Sequence, residues 1–368
     1  MKERSSKIYS VVIGILAIGI LISCSSNDPT PIEEQEEVYI PTPKPLTVPP
    51  IFQQLLPSPY VPSNNAQTVE GVALGRKLFF DPILSGDGTQ ACATCHKPSN
   101  SFTDDSQFSI GIDGLEGNRN SMPLYNMAWN TNEKFFWDGR TIGLETQALE
   151  PVINLIEMHN TWPNAVGNLQ NNATYPELFK KAFGTTTITK ELTAKAIAQF
   201  ERTLISANSP FDKYLLNEGT LTPQEINGFN IFMDEARGDC FHCHGNENSP
   251  LWTDNVFHNN GLDAIITDKG LGNITGDPNQ DGWFKSPSLR NLAYTAPYMH
   301  DGRFETLDDV INHYSEGLVY SPTIDPLMKA VSTGGVHLTE SDKADLKAFL
   351  LSLSDPSFIN NPNFQDPN

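Results

Sequence analysis

The sequence predicts a mainly α-helical protein built from two lobes, and three observations carry that expectation. Apolar residues recur at helical spacing in several segments, helix-start signals stand ahead of some of them, and one cysteine–histidine motif occurs twice, 148 residues apart. That separation is about the size of a domain. Of the 368 residues, 38% are hydrophobic and 18% charged, enough apolar material for one or two packed domains.

Taken in order, the chain opens with Lys2, Arg4 and Lys7, then an apolar run from Val11 to Ile22 closed by Ser23-Cys24. Residues 1–23 therefore read as a signal peptide, too short to span a bilayer permanently. Leu21-Ile22-Ser23-Cys24 resembles the bacterial lipobox, in which the cysteine becomes the lipidated mature N-terminus. The expectation is an exported protein, lipid-anchored at the cell envelope on the periplasmic side or the cell surface. Residues 24–55 are acidic and rich in proline and read as a tether between anchor and body. No later apolar stretch is long enough to cross a bilayer.

The body divides into residues 56–215 and 216–356, followed by a tail at 357–368. In the first part, Leu74 and Leu78 stand four residues apart, and Leu192, Ala196, Phe200 and Leu204 form an apolar stripe. In the second, Thr222-Pro223-Gln224-Glu225 is a capping box with proline at the first helical position. Thr306 can cap a helix whose third residue is Asp309, with Leu307, Val310 or Ile311, and Tyr314 along one buried face. Thr339 to Leu353 is another amphipathic helix, stopped by Asp355-Pro356. Residues 97–133 and 245–290, rich in Gly, Pro, Asn and Asp, read as long loops wrapped around whatever the two lobes hold.

The formal charge of −20 becomes −22 once residues 1–23, which carry +2, are removed. Such a balance argues against nucleic acid. It suits a small basic redox partner drawn in by long-range attraction, and equally a merely soluble acidic protein.

With Cys24 assigned to the lipid, the remaining cysteines fall in two identical frames, Cys92-Ala93-Thr94-Cys95-His96 and Cys240-Phe241-His242-Cys243-His244. Both are C-x-x-C-H, the attachment signature of c-type haem. Two thiols on one tight turn add to the two vinyl groups of a porphyrin, and the adjacent histidine is carried under the iron. A four-thiolate zinc site or two disulfides would leave both histidines unexplained. The expectation is two cytochrome c-like lobes with one covalent haem c each, with His96 and His244 as proximal ligands.

With these motifs, Leu74-Gly75-Arg76-Lys77-Leu78-Phe79-Phe80-Asp81, Arg119-Asn120-Ser121, Phe136-Trp137-Asp138-Gly139-Arg140, Ser288-Leu289-Arg290-Asn291 and Thr295-Ala296-Pro297-Tyr298-Met299-His300-Asp301-Gly302 make the sequence resemble the bacterial di-haem cytochrome c peroxidase family, which includes the MauG proteins. The resemblance runs from about residue 66 to 354. It implies that the first haem binds peroxide and the second passes electrons, with a calcium ion and a tryptophan between them. Trp137 matches that tryptophan. Gln147 and Glu157 match two distal polar residues above the peroxide-binding iron, Glu157 as the group that shuttles a proton between the peroxide oxygens. Asn120, Thr295 and Pro297 match the calcium ligands, the last two through backbone oxygens.

Two departures from the family pattern bear on activity. Sixteen residues after His96, where many members carry a removable distal histidine, this sequence has Ile112. The first haem is then expected to be five-coordinate, with His159, His258 and His337 as conceivable substitutes whose commoner role is structural. Fourteen residues after His300, where ordinary peroxidases place a ligating Met, stands Tyr314, the MauG-type pattern, with Met299 as rival. The activities implied are reduction of hydrogen peroxide with electrons from a small donor such as cytochrome c or, alternatively, a MauG-like oxidation of a protein substrate through both haems. A plain electron carrier fits poorly with a distal carboxylate.

Overall fold

A computed structural model describes residues 40–367. The signal peptide, the lipobox with Cys24 and the tether up to residue 39 lie outside the described residues. What is described is mainly helical, with two small antiparallel ladders, Lys134–Phe135 on Thr141–Ile142 and Phe257–His258 on Phe284–Lys285. No helix among the described residues is long and apolar enough to cross a membrane.

The predicted helices form where their caps place them. Val69–Phe80 starts at Thr68, whose hydroxyl accepts from the Gly71 amide at 3.0 Å, and it buries Leu74 and Leu78. Lys190–Glu201 starts at Thr189 and buries Ala196 and Phe200. In Pro223–Phe232 the capping box is complete: Thr222 Oγ1 accepts from Glu225 N at 3.2 Å, and Glu225 Oε2 accepts from Thr222 N at 2.7 Å. Leu307–Glu316 and Glu340–Ser352 are closed by the same device at Thr306 with Asp309 and at Thr339 with Asp342. Each such cap contributes about 1 kcal/mol, because it satisfies amides the helix leaves unpaired.

These helices pack as two pairs of the same construction, Val69–Phe80 with Lys190–Glu201 and Pro223–Phe232 with Glu340–Ser352. A glycine sits at each crossing because nothing larger fits. A Cβ on Gly75 would fall 1.8 Å from the Ala196 carbonyl oxygen, and one on Gly228 would fall 1.9 Å from that of Asp345. One apolar cluster gathers Phe79, Phe102, Phe179 and Phe200 around the first pair, and a second gathers Phe211, Phe232, Trp252 and Phe349 around the other.

Two segments depart from the expectation. Residues 40–55, assigned to the tether, are bound to the body: Pro43 bridges Thr68, and Pro50–Leu55 is a helix with Ile51 and Phe52 fully buried. Phe52 meets the Trp129 ring edge-on at 4.9 Å. Proline content hid this, although Leu46, Val48, Ile51, Phe52 and Leu55 supply apolar surface worth burying. Likewise the tail at 357–368 folds back, because Asp355 caps a short helix, Pro356–Ile359, that places Phe358 in the first cluster with Phe364.

The loops are irregular but anchored. Asn126 and Asn291 both take left-handed φ, 57° and 60°. Each reaches Ser206, Asn126 Nδ2 bonding its carbonyl at 3.0 Å and Asn291 Nδ2 its hydroxyl at 3.1 Å. Arg290, fully buried, clamps Asp212 with two hydrogen bonds of 2.8 and 2.6 Å. These contacts fix the segments that wall the site.

Candidate active site

Two cavities open beside the two motifs. Cys92, Cys95 and His96 line one of about 740 Å³. Cys240, Cys243 and His244 line the other, a narrower, mostly apolar slot of about 230 Å³ walled by Phe232, Leu292, Leu307 and Ile311. The cysteine pairs therefore face different spaces, which removes a shared four-thiolate metal site, and none of the four is in a disulfide among the described residues.

Both motif histidines are held in the same way. His96 Nδ1 lies 2.9 Å from the Phe102 carbonyl oxygen and 3.4 Å from Ser121 Oγ, while His244 Nδ1 lies 3.4 Å from Ser286 Oγ. Ser121 and Ser286 each also donate to the carbonyl of the motif's second cysteine. Ser101 and Phe102 adopt left-handed φ, 55° and 62°, as the turn brings that carbonyl round. A Nδ1–H committed to oxygen leaves Nε2 as the lone-pair nitrogen, the arrangement metal-ligating histidines use. Burial lowers the pKa of both rings, that of His244 to about 4 with His258 adding and Asp254 opposing, so both are neutral as ligation requires. A half-buried thiol pair plus a neutral, oriented imidazole at the wall of each cavity is a donor set that fits covalent haem.

Trp137, Gln147 and Glu157 all line the first cavity. Gln147 comes from a short helix, Leu144–Gln147, and its Oε1 is buried without a hydrogen-bond partner among the described residues. Glu157 follows the turn after Glu150–Ile153, and Asn154 Nδ2 donates to its Oε1 at 2.6 Å. Burial raises the Glu157 pKa; Arg140 and the Asn154 hydrogen bond work against that, and Glu150 works with it. Ile112 also supports this loop, its amide donating to the Glu157 carbonyl oxygen at 3.1 Å.

None of the three substitute histidines lines the first cavity. His159 pairs with Asp113 at the surface, and His337 Nε2 bonds the Thr333 carbonyl oxygen at 2.9 Å. His258 lies at the second cavity between Asp254 at 2.9 Å and Asp325 at 2.7 Å. Burial disfavours its charge, but the two carboxylates outweigh that and push it up to about 9.

Tyr314 and Met299 both reach the second cavity, and one amide touches both: Asn260 Nδ2 lies 3.1 Å from the Tyr314 hydroxyl and 3.6 Å from the Met299 sulfur. Burial pushes the Tyr314 phenol up to about 12, with the Asn260 hydrogen bond opposing. Asn120, Thr295 and Pro297 line this cavity together, and Trp137 Nε1 donates to the Asn120 carbonyl oxygen at 2.8 Å. Trp137, Asn120, Pro123 and the run 285–288 line both cavities and form the wall between them.

Several residues on these walls escaped the sequence reading. Arg140 stacks over Phe136 at 3.4 Å and reaches Asp138 and Glu150; it belongs to the motif stretch 136–140, a signal that was available. Asn154 lies three residues before Glu157, within reach of a turn. Glu201, at 3% exposure in the first cavity wall with Oε2 unpartnered among the described residues, is pushed by burial up to about 8, Arg202 opposing and Glu145 adding. Neither it nor Lys285 carries a local signal, since both matter only through distant neighbours.

A profile of the di-haem cytochrome c peroxidase family matches residues 69–220. The chain is 37% identical over 307 residues to the methylamine utilization protein MauG of Methylorubrum extorquens, covering 82% of this chain and 83% of that protein. It is 32% identical over 342 residues to the cytochrome-c peroxidase IdrP1 of Pseudomonas sp. strain SCT, covering 83% and 87%. Among solved structures, a MauG-like protein associated with microbial copper homeostasis shares 35% identity and a TM-score of 0.77, covering 85% of this chain and 97% of that one.

Proposed function

We propose, from the premise that the chain belongs to the di-haem cytochrome c peroxidase family that includes the MauG proteins, that it reduces hydrogen peroxide to water with electrons from a small redox protein such as cytochrome c. It is an oxidoreductase of the di-haem peroxidase type. Residues 56–215 and 216–356 serve as two cytochrome c-like lobes, one covalent haem c in each cavity. Asn120 through its side chain, and Thr295 and Pro297 through their carbonyls, are assigned to one calcium ion. The leader at residues 1–23, followed by Cys24, supports export and a lipid anchor at the cell envelope.

The observation that carries the reading is the first cavity itself, where Glu157 and Gln147 share the walls with His96 and with no second histidine among the described residues. Haem, when bound, supplies an iron that takes up peroxide and exchanges electrons. The Glu157 carboxylate accepts the proton of the inner peroxide oxygen and returns it to the outer one. Asn154 holds Oε1 so that Oε2 is left for this exchange. Gln147 can only donate and accept hydrogen bonds, so it orients the peroxide. Trp137, on the wall common to both cavities, lies on the route between the two cofactor sites.

A MauG-like oxidation of a protein substrate is favoured by one observation, the placing of Tyr314 at the second cavity where ordinary peroxidases carry a methionine ligand. Pyridine haemochrome absorbance with protein quantitation, followed by peroxide turnover with a panel of reduced donors, tests both. Two covalent haems and turnover with a small cytochrome are expected. One haem per chain, or haem extracted by acid acetone, overturns the assignment, and turnover dependent on a protein substrate selects the second reading.

A further inference from the structure

The wall shared by the two cavities contains a single ionisable side chain, Lys285, and it is buried at 7% exposure. Its position is fixed at both ends. The Lys285 amide donates to the Trp137 carbonyl oxygen at 2.8 Å, and the residue pairs with Phe257 in the small ladder. Nζ donates to Asn130 Oδ1 at 2.9 Å and to the Lys134 carbonyl oxygen at 2.7 Å. Both acceptors are neutral, and an ammonium has a third proton to place.

No ion pair within 4.0 Å reaches Lys285 among the described residues. The acid that acts on it, Asp254, is committed to His258. Burial lowers the ammonium pKa to about 7, with Asp254 opposing and Lys134 adding; the ring of Phe135, 5.9 Å away, offers only a weak cation contact. An isolated buried cation is costly and persists where a counter-charge arrives. Holding two neutral oxygens would not need a charge, since an uncharged amide donates to them equally well.

Each cofactor assigned to these cavities brings two carboxylates. They lie on the porphyrin edge away from the vinyl carbons, hence away from the cysteines, and neither cysteine pair is on the shared wall. We propose that Lys285 is the counter-charge for a haem propionate at the wall between the cavities, a positioning residue that holds that carboxylate beside Trp137 and raises the potential of the haem it serves. This rests on the two-haem reading above. Because the ammonium reaches the walls of both cavities, its loss acts on electron sharing between the haems and not on peroxide binding alone.

The test uses the purified holoprotein, with two haems per chain established first, so that failure of the two-haem reading is seen separately. Spectroelectrochemical titration and resonance Raman spectra of the propionate bending modes are then compared for the parent, Lys285→Met, Lys285→Arg and Asn130→Ala. Lys285→Met should move at least one midpoint potential negative, since a lost cation favours ferric iron, and should shift a propionate band. Lys285→Arg should keep the potentials and shift the band, because the donor changes while the charge stays. Asn130→Ala, which removes only neutral groups, the Oδ1 that accepts from Lys285 and the Nδ2 that donates to the Lys134 carbonyl oxygen at 2.9 Å, should leave the potentials near the parent's. If Lys285→Met does not retain two haems, Lys285→Gln, which still offers two N–H donors but no charge, is read by the same criteria. Unchanged potentials and an unshifted band in the uncharged variant overturn the proposal, as does Asn130→Ala reproducing its effect. Should neither uncharged variant hold haem, an unshifted propionate band in Lys285→Arg overturns it.

Discussion

Replacing Glu157 by glutamine removes the proposed proton carrier while leaving the shape of the first cavity in place. The amide is nearly isosteric with the carboxylate, and its oxygen can still accept the Asn154 Nδ2 hydrogen bond that measures 2.6 Å in the parent. Haem attachment is assigned to Cys92, Cys95 and His96, which the substitution leaves in place, and should survive. What is lost is the transfer of a proton between the peroxide oxygens, since an amide cannot take up and return one at neutral pH. General acid–base groups contribute about 10²–10⁴-fold, equivalent to about 3–6 kcal/mol of activation free energy at about 1.4 kcal/mol per decade. Burial, only partly offset by Arg140, holds the parent carboxyl above the ordinary range. Turnover limited by the carboxylate form should therefore fall as pH drops through that raised pKa, and the variant should lack this acid limb. The assay is steady-state peroxide consumption at saturating peroxide, with parent and variant matched for haem content, across the acid range. A variant within about threefold of the parent, well short of the expected range, or one that keeps the acid limb, refutes the assignment of Glu157 as the base.

Three further perturbations address other parts of the structure. Tyr314→Met should raise one haem potential and create the near-infrared band of Met-ligated ferric haem, because a thioether favours ferrous iron and a phenolate ferric; if the parent already shows that band and Met299→Ala removes it, the ligand is Met299. Glu201, raised to about 8 from an ordinary 4.5, binds its proton more tightly in the folded state, so it stabilises the fold below about pH 4.5 and that contribution fades as pH rises through 8. Thermal melting of Glu201→Gln should accordingly show a gain over the parent that grows from pH 5 to pH 8, and a pH-independent difference contradicts the burial argument. Gly228→Ala puts a methyl 1.9 Å from the Asp345 carbonyl oxygen and should cost about 1–3 kcal/mol by overpacking, read as a lowered denaturation midpoint; an unchanged midpoint would mean that the helix pair yields freely.

Glu157 shows how far the sequence reached into the site and where it stopped. Its identity came from a family spacing, yet the features that set its chemistry, Asn154 at one oxygen and Arg140 and Glu150 in its surroundings, come from the folded turn and its neighbours. Tyr314 is similar: its cap at Thr306 and its helical phase placed it on a buried face, whereas the presence of Met299 in the same cavity, with Asn260 touching both, required the fold. The histidines at 159, 258 and 337 were separable only by their partners.

What the sequence determined by itself is what local interactions encode. Caps at Thr222, Thr306 and Thr339 act over three residues, and each C-x-x-C-H motif sets two thiols and an imidazole on one turn. Such features need no partner distant in the chain, so they are legible one segment at a time. The tertiary structure alone decided that Phe52 and Phe358 belong to the body and that Gly75 and Gly228 are the close approaches of two helix pairs. It also decided that Trp137 and Lys285, 148 residues apart, form one wall between the cavities. Those outcomes depend on burial and on hydrogen bonds between distant segments, whose free energy is realised only when the whole core assembles and which leave no periodic trace along the chain.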